Sequence, residues 1–224
     1  MTLKTLLEIF QSFQYNIFRV RYLKCCVLSL CKKVDLIRQY IKEANMDFIF
    51  IIGPSAVGKT TLAKSLYQHY QGVYLEQNMV PEFVVPNNVE DIGIYEEQLC
   101  WENVLLQLRF FYDKGHRNIV ALDFDDVRTR ELPLIFKGYK FITLKFVSSN
   151  PEQIKEQMIH RHNNEGGLYV PDYVERSNHV IMNRKLLPNE VQIDVAGKTK
   201  EEVFNEAINI IDSFDPKTDY VAYL

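Results

Sequence analysis

Cysteine is scarce in this chain of 224 residues and poorly placed for cross-linking: Cys25, Cys26 and Cys31 crowd into the first 45 residues, and Cys100 stands alone. Neither a pairing framework nor zinc spacing with a nearby His pair is visible. That excludes a disulfide-stapled secreted domain and leaves reduced thiols in a cytoplasmic protein as the expectation. Long apolar runs are absent as well. Lys4, Glu8, Arg19, Arg21, Lys24, Lys32 and Lys33 interrupt the apolar N-terminal stretch, so it cannot span a bilayer, and no small-residue cleavage site follows to mark a secretory signal. There is no internal repeat and no low-complexity segment, and 47% apolar with 25% charged residues is ordinary globular composition.

Clustered positive charge is missing where a nucleic-acid surface would need it. Residues 1–45 hold eight Lys/Arg against three Asp/Glu, whereas the remainder carries −8 within an overall charge of −3. A nucleic-acid polymer is therefore not expected as a partner. The basic arm has apolar residues at mostly helical spacing, and three readings stay open for it: an amphipathic helix docking on a membrane or partner, a helix packed on the domain, or an extension translated from an early start codon. Met46 stands immediately before the first strand, so the expected division is a helical extension over 1–45 and one domain over 46–224.

From Met46 onward, short apolar runs alternate with longer helical patterns, as in a parallel sheet with crossover helices. Strands are expected at 47–52, 72–75, 118–122, 141–147 and 191–195. Helices are expected at 59–70, about 93–114, 151–162, 171–184 and 200–213. Pro151 and Pro171 fall at first helical turns, where the missing N–H costs little.

The stretch "FIFIIGPSAVGKTTLAKSL" (Phe48 to Leu66) carries the pattern GxxxxGK[ST] between an apolar strand and a helix. Gly53, Pro54, Ser55, Ala56, Val57 and Gly58 form a loop whose backbone can wrap a phosphate. Lys59 can reach the terminal phosphates, Thr60 can offer its hydroxyl to Mg2+, and Thr61 follows at the helix start, whose partial positive charge favours an anion. ATP and magnesium are the expected ligands. "NIVALD" ends a second strand on Asp123, a candidate magnesium carboxylate, although Asp also commonly caps the turn after a strand.

With these elements in place the chain resembles the small P-loop kinases, a group including nucleoside and nucleotide kinases and shikimate- and gluconate-type kinases. The resemblance spans Met46 to about Ser213, carried by the phosphate loop, "VYLEQ", "IVALDFDDVRTR", "FVSSNPEQIKEQMIHRHNNEGG" and "NEVQIDVAGKTKEEVFNEAINII". It implies a three-layer α/β/α fold with a five-stranded parallel sheet in the order 2-3-1-4-5 and a short lid. Arg161, at the exit of a helix in "RHNNEGG", is the expected lid arginine, with Arg176 and Arg184 in reserve. Gly197 and Lys198 stand in the expected adenine-side loop. Glu76 occupies the position of the acceptor-side acid, though the Glu-Pro seen in deoxynucleoside kinases is missing, and Glu82 is the reserve. Gln98, Trp101, Asn103, Arg109 and Arg128 are candidate acceptor contacts, with Asp125 and Arg130 beside them. The function implied is transfer of the ATP γ-phosphate to a small acceptor, a nucleoside or nucleotide ahead of a shikimate- or gluconate-type metabolite. An ATP-binding regulatory protein without transferase activity is the rival. A switch GTPase is excluded, because no Asn-Lys-x-Asp guanine-reading element is present.

Overall fold

The sheet is built from strands that are apolar on both faces, the pattern that forces helices onto each side. In the computed structural model, which describes residues 46–77, 92–165 and 171–220, these strands are β1 (Phe48–Ile52), β2 (Val73–Glu76), β3 (Ile119–Leu122), β4 (Phe141–Val147) and β5 (Glu190–Asp194). All pairings are parallel, and the order is β2-β3-β1-β4-β5. β1 is flanked by β3 and β4, so the chain's connections diverge on either side of it and open a crevice at its C-terminal end. The expected sheet order is met, and strand ends differ from expectation by about one residue.

The helices are α1 (Lys59–His69), α2 (Ile92–Asp113), α3 (Asp126–Ile135), α4 (Pro151–Glu165), α5 (Pro171–Asn183) and α6 (Lys200–Ser213). One core joins Ile49, Ile51, Leu144 and Phe146 to Leu62, Leu66, Ile154, Val174, Ala207 and Ile211. On the other face Phe48, Phe50, Ile52 and Val147 meet Trp101, Leu108, Leu132 and Ile181. This alternation along each strand makes the three layers.

Two elements depart from expectation. α3 is an addition: Asp125 caps it by accepting the Arg128 N–H at 2.6 Å, and it continues through Pro133. An internal proline removes one helical hydrogen bond and normally disfavours a helix by about 3 kcal/mol. α4 runs three residues past His162, so Arg161 lies within the helix and not at its exit. Residues 1–45, Glu82, and Gly166 and Gly167 of the expected lid lie outside the described residues. Among the described residues no helix is long and apolar enough to cross a membrane.

One largely buried ionic knot ties three elements together. Arg184, just past α5, pairs with Glu190 of β5 at 2.6 Å and with Asp126 of α3 at 2.7 Å. Lys145, wholly buried on β4, donates to the Arg184 carbonyl at 2.8 Å. Arg184 therefore serves the fold, which corrects its standing as a reserve lid residue. Arg184→Ala strands the Glu190 carboxylate without its partner and is expected to lower unfolding free energy by about 3–5 kcal/mol. Denaturant melts check this, with ATP-analogue binding by the folded fraction expected to be unchanged.

Candidate active site

The phosphate loop owes its path to conformations that few residues tolerate. Gly53 has φ 152°, and a Cβ there would sit 2.6 Å from the Phe146 carbonyl oxygen, so the loop can only pass β4 this closely as glycine. Ala56 and Gly58 also take positive φ, at 62° and 100°. The Lys59 ammonium folds back over the loop, donating to the Pro54 carbonyl at 3.0 Å and standing 3.6 Å from the Asp123 carboxylate. Burial lowers its pKa, opposed chiefly by the Asp123 charge; the Arg161 charge pushes in the same direction as burial. The cradle is thus preformed, cationic and short of water, as a polyphosphate site requires.

Beside it, β2 and β3 end together and bring Glu76 and Asp123 into one hydrogen-bonded carboxyl pair. Asp123 has φ 71°, a left-handed conformation that Asp tolerates better than most residues. Thr60 donates its hydroxyl to Glu76 at 3.5 Å, and the Tyr74 hydroxyl also donates to Glu76. Burial raises the Asp123 pKa to about 6, the Lys59 charge opposing and the bond with Glu76 adding to the rise. For Glu76, burial acts upward but is outweighed by hydrogen bonds from Asp123 and Tyr74 and the charge of Lys64, so its pKa falls. When the pair holds a proton, below about pH 6, these opposite shifts favour Asp123 as its site.

The Asp123 carboxylate and the Thr60 hydroxyl next to a phosphate cradle are hard-oxygen donors that leave the other positions to phosphate and water oxygens, which fits Mg2+. A proton on Asp123 competes with that metal. Magnesium's contribution to ATP-induced thermal stabilisation is expected to be full above pH 7 and to shrink as pH falls through about 6, with affinity dropping up to about tenfold per unit below it. The linkage for the metal-free protein has the opposite sense: Asp123 binds its proton more tightly folded than unfolded, so this group's share of stability grows as pH falls from about 6 towards its ordinary value of 3.8.

Two residues past Asp123, the acceptor-side candidates gather at the start of α3. Arg128 pairs with Glu131 at 2.9 Å and donates to the Gln98 side-chain oxygen. Its guanidinium lies 5.9 Å from the Trp101 ring centre, and Trp101 donates its indole N–H to Glu131 at 3.1 Å. Trp101 is buried against Phe124 at 5.2 Å, so it supports this wall from behind. Glu97 shares a hydrogen bond with Asp125 that raises the Glu97 pKa. Glu131 and Glu97 escaped the sequence reading; the signal for Glu131 was its i, i+3 spacing from Arg128.

Other candidates fall elsewhere. Arg109 is exposed and lies eight residues beyond Trp101 on α2, about 12 Å further along the helix axis. Asn103 accepts from Gln107 at 2.5 Å. Arg130 is exposed and paired with Asp126 at 2.8 Å. Arg176 lines a cavity of about 350 Å³ on the flank of α5, with Pro151, Glu175 and His179. Past β5, Gly197 takes φ 69° and donates its N–H to Gln153 at 3.0 Å, while Lys198 pairs with Glu206 at 2.6 Å. That loop sits on the same sheet edge as the cradle, two strands from β1.

No protein-family model and no curated protein matches the sequence. Solved structures do. A gluconokinase from Sinorhizobium meliloti 1021 superposes with a TM-score of 0.52 at 14% identity, over 73% of this chain and 90% of that one. A sugar kinase from Janibacter sp. HTCC2649 gives 0.51 at 17% identity, over 75% of this chain and 95% of that one. At such identities the likeness is one of architecture, and the chain has the fold of the small P-loop kinases.

Proposed function

We propose that this protein transfers the γ-phosphate of ATP, with magnesium, to a small hydroxyl-bearing acceptor. The observation that carries the reading is the convergence of Lys59, Thr60, Glu76 and Asp123 at the C-terminal end of the sheet. Thr60 and Asp123 would hold the metal, which when bound neutralises charge on the phosphate oxygens. Gly53 to Gly58 and the α1 N-terminus bind the β- and γ-phosphates through backbone N–H groups. Lys59 and Arg161 stabilise charge that grows as the phosphoryl group moves.

Glu76, ionised at neutral pH, accepts a hydrogen bond from the acceptor hydroxyl and orients it in line. As the new P–O bond forms, the β–γ bridging bond breaks, its electron pair stays on ADP, and the hydroxyl proton passes to Glu76 and on to water. Gln98 and Arg128 face the acceptor. Gly197 and Lys198 flank the adenine side.

Nucleosides and nucleotides are the first acceptors to test, followed by sugar-like and cyclitol metabolites. The experiment is ADP release measured with and without each acceptor. Release that rises only with an acceptor supports the reading; release indifferent to every acceptor removes it.

A further inference from the structure

We infer that the acceptor carries no negative charge: it is an uncharged or cationic hydroxyl compound, such as a nucleoside, polyol or amino alcohol, and not a nucleotide or sugar acid. This rests on the kinase reading above and narrows its acceptor half. Catching a phosphate or carboxylate at this edge would require a Lys or Arg whose charge is not already offset by a carboxylate. From Ser65 to Leu108 the chain holds seven Asp/Glu and no Lys or Arg at all, so neither β2, nor the segment after it, nor the first four turns of α2 can supply one.

The next cation on α2, Arg109, is about 12 Å beyond Trp101 along the axis. Arg128 stands on this wall, but two of its five N–H donors are held by Glu131 and Gln98, and the Glu131 carboxylate already offsets its charge. Around it stand Glu97 and Asp125, hydrogen-bonded to each other, so this wall carries more carboxylate than guanidinium. Lys64 acts on Glu76 from α1, and Lys59 faces Asp123 and the phosphate loop. An anionic acceptor would therefore meet Glu131 and the Glu97–Asp125 pair, whose mutual hydrogen bond takes one proton, with a single guanidinium that Glu131 already offsets, an arrangement that selects against it by charge repulsion.

The test uses the full chain with Mg-ATP and matched acceptor pairs that keep the same free hydroxyl: each nucleoside against its 3′-monophosphate, and polyols and amino sugars against the corresponding sugar acids. In every productive pair the uncharged or cationic member is expected to show kcat/KM at least ~100-fold above its anionic partner, the scale that like-charge juxtaposition sets. Equal or better transfer to the anionic members overturns this inference and leaves the kinase reading intact. Absence of acceptor-dependent transfer across all pairs overturns both. Glu131→Gln keeps an acceptor for the Trp101 indole and frees Arg128 of its ion pair; it should raise relative kcat/KM for the anionic member about tenfold. An unchanged ratio overturns the role given to the Arg128–Glu131 pair.

Discussion

Lys59→Ala is expected to lower acceptor-dependent ADP release by at least ~100-fold, the scale for removing one preorganised donor from a transferring group. The ammonium is nearly dry, held between the Pro54 carbonyl and the Asp123 carboxylate. A charge kept in so little water acts on a γ-phosphate with weak screening, and the neighbouring cations replace only part of it: Arg161 acts from α4 and Lys64 acts on Glu76. The fold should survive, because truncation removes a buried charge and leaves the bond between Asp123 and Glu76 in place. Thermal melts alongside the assay separate the two effects. Near-wild-type turnover would remove the phosphate-loop mechanism.

Glu76→Gln is expected to cut kcat by about 100-fold or more while changing ATP affinity less than about threefold, since general-base assistance contributes on that order. Glutamine keeps the size and can still accept from Thr60 and Tyr74, so the local bonds persist while the ionised carboxylate disappears. The variant also removes one member of the carboxyl pair. Asp123 then loses the partner that helps hold its proton, its pKa moves down towards the usual range, and the acid limb of magnesium dependence shifts to lower pH. Turnover and ATP affinity falling equally would mean that Glu76 holds donor phosphate or metal and does not act on the acceptor.

Much of the sheet and the donor half could be read in the residues themselves. "FIFII" and "IVAL" are apolar at every position and can only be central strands, and the glycine loop between such a strand and a helix has one mechanical use. What could not be read depends on partners far along the chain. Arg184 looks like any arginine near a lid until Asp126, 58 positions away, is folded against it. Lys145 breaks an apolar strand without announcing that its ammonium is satisfied by a carbonyl. The end of α4 is masked in the sequence because "HNNEGG" reads as a stop, whereas Asn164 turns its amide back to the His160 carbonyl at 2.8 Å and stays in the helix. α3 was hidden by Pro133, whose carbonyl is used instead to receive the Tyr220 hydroxyl at 2.6 Å.

The left-handed Asp123 and the helix-capping Asp125 are separated only by Phe124, and Phe124 is clamped by Trp101 and Phe50. Donor and acceptor machinery therefore share one inextensible strap, whose length is set by backbone and whose middle is anchored. Lineages or engineers that retarget such an enzyme cannot slide α3 to suit a larger or smaller acceptor without dragging the metal carboxylate with it. Their freedom lies in the side chains of α2, which can be exchanged while the strap keeps the two halves in step.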